Sequence, residues 1–316
     1  MVNGFFRSST FILIASIITL VPALTLAQEE QPSAICSQTA AQCQSTENKE
    51  KESCLQELCS SFKQEGYKRK LPLLFRDNYF LYTHSNSFDD GRKEEEVKFQ
   101  LSFQTAILPV LSLDQFTFVV GFAYSQKSFW QVTDENNSRP FRETNYNPEG
   151  FILIRTNDRM FSLRLSPWEH ESNGREEGIY TRSWDRYYME PGLNWNDQIV
   201  ASLKIWARYK EKECEPGGLS KECDENPDLE DYTGNFEFRI KYKLPAFEIL
   251  GSPSDFKFTL LQRRNFTTKR GAHEIGVSWK IFEVRAFIQY WNGYAESLID
   301  YRKSSQRWGI GFMLEQ

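Results

Sequence analysis

From about Leu71 to the C-terminus, apolar and polar residues alternate in short runs, and this pattern constrains the fold more than any other feature. Alternation with a period of two is typical of β-strands that present one face to an apolar environment. Many of the runs are close to ten residues long, which is the length that a tilted strand needs to cross a bilayer. One such run, at 198–208, has an apolar face made by Ile199, Ala201, Leu203, Ile205 and Ala207.

A soluble β-sandwich would also alternate in this way. Three features favour a membrane barrel: the length of the runs, an apolar N-terminal segment typical of export, and aromatic residues at the ends of predicted strands. Aromatic side chains at such positions often form belts at the membrane interface. The aromatic pairs are Phe129-Trp130, Tyr187-Tyr188 and Tyr290-Trp291.

The alternating pattern predicts twelve strands, an even number, as a closed bacterial barrel requires. Their predicted ranges are 78–86, 95–107, 116–131, 143–155, 159–172, 181–192, 197–210, 232–244, 255–266, 271–281, 284–298 and 306–314. Short connections at 157–158 and 194–196 are predicted to be periplasmic turns. The longer polar stretches 132–142, 173–180 and 211–231 are predicted to be outer loops.

Residues 1–27 have the features of a secretory signal peptide rather than a membrane anchor. Arg7 precedes an apolar run from Phe11 to Leu26, and Ala27 completes a small-residue cleavage site. We therefore expect export and a mature chain that begins at Gln28. The net charge of −5, without a basic stripe, indicates no nucleic-acid partner.

Residues 28–70 are polar and carry four cysteines, and we expect them to form a small periplasmic extension stapled by disulfides. The cysteines Cys36, Cys43, Cys54 and Cys59 allow three pairings, which the sequence does not distinguish. Metal binding is the alternative, although their spacing matches no common zinc pattern. Cys214 and Cys223 flank a short Pro- and Gly-containing segment and are predicted to pair within an outer loop. Residues 71–316 are predicted to form the barrel domain.

The segment 168–188 reads WEHESNGREEGIYTRSWDRYY and carries the clearest chemical pattern. His170 and Ser172 are two residues apart, so on a strand they share a face. The next predicted strand brings Asp185 back, where a carboxylate could orient the imidazole. Nucleophile, base and orienter in one hairpin is an arrangement that serine hydrolysis can use. The simpler interpretations are chance spacing and an Asp185 that pairs with Arg182 or Arg186.

The string H-E-S-N-G-R followed by T-R-S-W-D-R-Y-Y resembles the active-site hairpin of the outer membrane phospholipase A family, which are calcium-dependent barrel hydrolases. Four further motifs resemble the same family in the same order: YSQKSFWQ (124–131), PFRETNYNP (140–148), DENPD (224–228) and FIQYWNGYAESLIDY (287–301). The resemblance covers about residues 74–314 and itself implies a twelve-stranded antiparallel barrel in the outer membrane. It also implies hydrolysis of sn-1 and sn-2 acyl esters of phospholipids and lysophospholipids through an acyl-serine intermediate.

The resemblance implies that Ser172 is the nucleophile, His170 the base and Asp185 the orienting residue. The family usually has asparagine at the last of these positions, and an aspartate can accept the same hydrogen bond from the imidazole. Gln126 matches a glutamine near the family's active site, where it would support the hydrogen-bond network. Without the resemblance, Gln126 would be interpreted as a polar residue of the barrel lumen.

The resemblance also implies a calcium-dependent homodimer. Calcium prefers hard oxygen ligands, and the matching positions are the backbone carbonyl of Arg175 and the hydroxyl of Thr181, with Ser138 supplied by the partner chain. A monomer calcium site would fall at Glu225, with the neighbouring Asp224 as an equal candidate.

One feature conflicts with simple alternation. Phe161, Leu163 and Leu165 have odd numbers and should face lipid, whereas His170 and Ser172 have even numbers and would point into the lumen. The family resemblance implies a triad on the lipid-facing exterior. A β-bulge near Pro167 would resolve the conflict, because one extra residue exchanges the two faces of a strand.

Two other classes of protein share parts of this pattern. A catalytically silent, porin-like barrel would keep the fold without the chemistry, although the intact residues of the hairpin argue against it. A soluble secreted esterase would have the triad but not the membrane strands.

Overall fold

The computed structural model describes residues 73–86, 92–175, 180–210, 226–249, 252–281 and 284–314. The predicted signal peptide, the cysteine-containing extension, both outer-loop cysteines, Asp224 and Glu225 lie outside these ranges. Within them the chain is dominated by antiparallel strands, with one short helix, α1, at Leu229–Thr233. No helix in the described ranges is long and apolar enough to cross a membrane.

Twelve long strands form the sheet, and each pairs with its neighbours in the chain. They are β1 (Asn78–Ser85), β2 (Glu95–Ala106), β3 (Phe116–Trp130), β4 (Phe141–Thr156), β5 (Phe161–Ser172), β6 (Ser183–Trp195), β7 (Ile199–Arg208), β8 (Phe236–Lys243), β9 (Phe256–Arg264), β10 (Gly271–Ile281), β11 (Val284–Gly293) and β12 (Ser305–Leu314). The last strand returns to the first, with Met313 opposite Tyr79, so the sheet closes into a barrel. The prediction of a twelve-stranded antiparallel barrel is confirmed.

Shorter strands lie at the barrel ends: Leu73–Leu74 pairs with β2, Leu111–Ser112 pairs with β3, and Phe247–Ile249 pairs with Ser252–Ser254.

Strand β11 ends earlier than its sequence predicts, at Gly293 rather than at residue 298. Gly293 has φ of 131°, a conformation that side chains rarely adopt, and a Cβ there would lie 2.3 Å from the carbonyl oxygen of Gly271. The chain then leaves the strand, and loop 294–304 packs Leu298 and Tyr301 into a buried cluster. The apolar residues after Gly293 therefore fill the end of the barrel instead of extending a strand.

The barrel interior is charged. Arg307 contacts Glu96 at 2.8 Å and Glu296 at 2.9 Å, and Glu296 also binds Lys98 at 3.0 Å. All four side chains are almost completely buried. Buried charges are tolerated when they are paired in this way.

The exterior of the barrel shows the opposite distribution. Large apolar side chains are exposed along the strands, including Phe161 at 53%, Ile310 at 59% and Phe312 at 59%. A charged interior and an apolar exterior invert the pattern of a soluble protein and are typical of a transmembrane barrel.

The predicted aromatic belts are only half correct. In each aromatic pair one ring lies on the exterior, where Trp130 stacks with Phe141 and Tyr290 packs against Trp308. The other members, Phe129, Tyr188 and Trp291, are buried inside the barrel. Adjacent residues on a strand point to opposite faces, so a pair of neighbouring aromatics cannot contribute both rings to the membrane interface.

Candidate active site

A β-bulge interrupts strand β5. Ser166 lies opposite Tyr188 of β6, but the next pair is Glu169 opposite Arg186, so three steps on one strand match two on the other. The pairing with β4 shifts at the same place. The bulge expected near Pro167 is therefore confirmed.

The bulge exchanges the two faces of β5. Before it, the even-numbered Arg164 and Ser166 are buried in the interior; after it, the odd-numbered Glu169 is. Glu169 binds Lys204 inside the barrel. His170 and Ser172 consequently project from the exterior wall, on the face that carries Phe161 at the other end of the strand.

Hydrogen bonds hold the bulge in place. The Ser166 hydroxyl lies 2.9 Å from the carbonyl oxygen of Gly150 and 3.0 Å from that of Trp168. Tyr209 donates its hydroxyl to the carbonyl of Pro167 at 2.6 Å. Proline suits this position because it has no N–H to contribute to the sheet.

His170 and Asp185 form the central pair of the site. They lie directly opposite each other on β5 and β6, and His170 Nδ1 is 3.1 Å from Asp185 Oδ1. Both side chains are partly exposed. Asn147 donates to the backbone carbonyl of His170 at 2.7 Å, which fixes the strand beside the imidazole. The structure therefore brings together the predicted base and orienting residue.

The alternative interpretation of Asp185, as an ion-pair partner of a neighbouring arginine, does not match these contacts. Arg186 bonds to Glu169 and Glu171 at 3.0 Å each, on the interior side of the wall. Arg182 donates to the backbone carbonyl of Thr181.

Ser172 and Gln126 lie in one row across the sheet. Ser172 is paired with Tyr146 on β4, and Tyr146 is paired with Gln126 on β3. Gln126 accepts a hydrogen bond from Tyr124 at 3.0 Å and donates to Ser128 at 3.2 Å. These even-numbered residues alternate with positions that line the interior, so Gln126 faces outward. Its interpretation as a lumen residue is wrong.

Asn173 organises the loop that follows Ser172. Its side chain donates to the carbonyl of Tyr180 at 2.8 Å and accepts from the backbone N–H of Arg182 at 3.0 Å. Its backbone N–H donates to the carbonyl of Arg182 at 2.9 Å. Gly174 turns the chain with φ of +63°. The two ends of loop 173–182 are thus joined beside Ser172.

Two of the predicted calcium ligands, Arg175 and Thr181, belong to that loop. The Arg175 guanidinium donates to the carbonyl of Arg142 at 2.6 Å and lies 3.7 Å from the carboxylate of Glu143. Glu143 therefore draws the positive side chain toward the barrel wall. A backbone carbonyl and a hydroxyl in one loop are hard oxygen donors, and this donor set fits calcium.

Ser138 lies in a different loop, between β3 and β4, where it has φ of 60° and donates its backbone N–H to Glu135. Glu225 lies outside the described residues, but the chain after it is anchored by Asp228. Asp228 accepts hydrogen bonds from Arg302 at 2.7 Å and Tyr301 at 2.5 Å. Burial alone would raise the pKa of Asp228, but these hydrogen bonds lower it.

Sequence reasoning missed three residues of the site. Asn173 could have been recognised from the Ser-Asn-Gly sequence, because asparagine before glycine is a turn signal. Glu143 and Trp168 gave no such signal. Trp168 donates its indole N–H to Asp185 Oδ1 at 2.9 Å, a contact that depends on the bulge.

A closed antiparallel barrel with a charged interior and an apolar exterior is the architecture of an outer membrane protein. Residues 46–314 match the family model of phospholipase A1, and the chain belongs to that family of phospholipid-hydrolysing enzymes. The match begins within the segment 28–70, which the sequence motifs do not cover. Family membership favours an enzyme over a porin-like barrel.

Relatives and solved structures agree with this assignment. The chain is 33% identical to phospholipase A1 of Klebsiella pneumoniae over 255 residues, 76% of this chain and 81% of that protein. It is 33% identical to phospholipase A1 of Escherichia coli strain K12 over 253 residues, 75% and 79% of the two chains.

Among solved structures, outer membrane phospholipase A from Escherichia coli superposes with a TM-score of 0.65 and 29% identity. That match covers 81% of this chain and 96% of the other. A Salmonella typhi outer membrane phospholipase, described as a dimer with bound calcium, has the same TM-score, identity and coverage. The expected outer membrane location and resemblance are confirmed.

Proposed function

We propose that this chain is a calcium-dependent phospholipase A that hydrolyses sn-1 and sn-2 acyl esters of phospholipids and lysophospholipids at the outer wall of its barrel. The observation that carries the proposal is the 3.1 Å contact between His170 and Asp185. His170 lies two residues before Ser172, on the same exterior face of β5. Substrate acyl chains would meet this face directly, because it is the apolar face of the barrel.

The chemistry follows from the orientation of the imidazole. Asp185 accepts the hydrogen bond from Nδ1, which leaves Nε2 to take the proton of the Ser172 hydroxyl. The Ser172 oxygen then attacks the ester carbonyl carbon. The bond to the glycerol oxygen breaks, and that oxygen takes the proton from His170. In the second step His170 takes a proton from water, and the water oxygen attacks the acyl carbon. The bond from that carbon to the Ser172 oxygen breaks, and the Ser172 oxygen takes the proton back from His170, which releases the fatty acid.

Calcium, when bound, would stabilise the negative charge that develops on the ester carbonyl oxygen. On this chain the Arg175 carbonyl and the Thr181 hydroxyl would hold it, and Ser138 of the partner subunit would complete the site in a homodimer. Glu225, or the neighbouring Asp224, would hold the calcium ion of the monomer. The Salmonella typhi structure, a dimer with bound calcium, supports the ion and the assembly.

Gln126 would support the site from its position beside Tyr146, two strands from Ser172.

The domain organisation is also part of the proposal. Residues 1–27 would be removed as a signal peptide. Residues 28–70 would form a disulfide-stapled periplasmic extension, and residues 71–316 would form the barrel.

The test is release of fatty acid from phospholipid–detergent mixed micelles, measured with calcium and with excess chelator. The wild type should be active only with calcium, and Ser172→Ala should lose activity by several orders of magnitude. Ser162→Ala is the matched control, because it removes a hydroxyl from the opposite end of the same strand. Activity that survives in Ser172→Ala, or a wild type without phospholipase activity, would refute the proposal.

A further inference from the structure

Trp168 is the second residue of the β5 bulge, and its indole reaches the centre of the site. Its Nε1–H donates to Asp185 Oδ1 at 2.9 Å. The same oxygen accepts from His170 Nδ1 at 3.1 Å. The indole and imidazole rings are nearly parallel, at 15° with 6.2 Å between their centroids. One carboxylate oxygen therefore accepts hydrogen bonds from both rings.

We infer that Trp168 is a positioning residue of the catalytic site, which holds the Asp185 carboxylate so that Oδ1 faces the imidazole. This inference rests on the proposed function. A carboxylate on a partly exposed strand can rotate about its terminal bond, and a second donor restricts that rotation. A hydrogen bond to a charged acceptor is stronger than one between neutral groups, so the indole is an effective anchor for an aspartate.

The backbone around Trp168 is held in a way that suits this role. Tyr209 donates its hydroxyl to the Pro167 carbonyl at 2.6 Å, and its backbone N–H donates to the Asp185 carbonyl at 2.9 Å. Tyr209 thus joins the bulge to the strand that carries Asp185. Without the extra residue of the bulge, the side chain after Pro167 would lie on a different face from the one that reaches Asp185.

An exterior tryptophan, 44% exposed, could instead serve as a membrane anchor or a substrate contact. The two roles differ in what they affect. Removal of a positioning residue that acts through Asp185 should lower kcat and leave KM unchanged. The same removal should have no effect once the Asp185 carboxylate is gone. An anchor or substrate contact acts through apolar area, which phenylalanine largely retains, and its effect does not depend on Asp185.

The experiment compares wild type, Trp168→Phe, Asp185→Ala and the double variant, with kcat and KM measured in mixed micelles at saturating calcium. Trp168→Phe should lower kcat about tenfold, the size expected for one hydrogen bond to a charged acceptor, with KM unchanged. In the Asp185→Ala background the same change should alter kcat less than about twofold. Trp195→Phe, on the same strand as Asp185 and 53% exposed, is the control and should match wild type.

A tenfold loss that persists in the Asp185→Ala background, or a change confined to KM, would overturn the inference. A second readout separates it from the proposed function. In protein labelled at the indole nitrogen of its eight tryptophans, the Trp168 N–H resonance, identified by its loss in Trp168→Phe, should move upfield in Asp185→Ala. An unmoved resonance would overturn the assignment of Trp168. If the Trp168 resonance moves in Asp185→Ala but the wild type has no phospholipase activity, only the proposed function would be refuted.

Discussion

Replacing Glu169 by glutamine should destabilise the barrel by about 3–5 kcal/mol, the range for removing one partner of a buried ion pair. Lys204 Nζ lies 2.8 and 2.7 Å from the two Glu169 carboxylate oxygens, and Arg186 lies 3.0 Å from one of them. Glu169 and Lys204 are 1% and 4% exposed. Glutamine keeps the shape but leaves the ammonium buried without its counter-charge.

Replacing Lys204 should lower the stability of the barrel less than replacing Glu169, because Glu169 has a second positively charged partner. In Lys204→Met the Glu169 carboxylate still faces Arg186, so we expect about 1–3 kcal/mol. Combining Glu169→Gln with Lys204→Met removes both charges, and the double variant should be at least about 2 kcal/mol more stable than the sum of the single changes predicts.

The assay is urea unfolding of the purified barrel in detergent micelles, followed by tryptophan fluorescence and by the heat-dependent shift of folded barrel on gels. Ser202→Ala is a control for general damage to β7, because Ser202 lies two residues before Lys204 on that strand and is only partly buried. Strictly additive effects, or a Glu169→Gln barrel within about 1 kcal/mol of wild type, would refute the argument that this pair is electrostatically coupled.

Three further predictions concern the site. Asp185→Asn should remain active, because an amide oxygen can accept the bond from His170, whereas Asp185→Ala should lose one to several orders of magnitude in rate; equal rates for wild type and the alanine variant would contradict this role. Thr181→Val should raise the calcium concentration needed for half-maximal activity while the barrel stays folded, so an unchanged calcium titration would exclude this ligand. Tyr209→Phe removes the hydrogen bond to Pro167, worth about 0.5–1.5 kcal/mol, and should lower activity about two- to tenfold; unchanged activity would show that the bulge holds without it.

Alternation predicted twelve strands, since each strand has one face on the lipid and one in the lumen, and the family resemblance implied the same number. The alternating pattern gave the wrong end for β11, because it shows the polarity of the residues and not the direction in which the chain runs. The apolar side chain of Leu298 is buried by a loop that turns inward, which a period of two cannot distinguish from a longer strand.

The bulge at Pro167 illustrates a different limit. The face conflict between Leu165 and His170 indicated that an extra residue was needed, but only after the family resemblance had implied an exterior site. Contacts such as that between Trp168 and Asp185 depend on strand register, and register follows from pairing across the sheet rather than from any one strand. Such contacts could not be read from the sequence.

The exterior position of the His170–Asp185 pair has a consequence for how the reaction should be measured. Substrate would arrive by lateral diffusion within the lipid layer, so the concentration that governs encounter is a surface density. Adding inert detergent at constant total phospholipid should therefore slow the reaction, although the amount of substrate per volume is unchanged. The relevant KM is a mole fraction, and rates compared at equal molarity but different detergent ratios would describe different conditions.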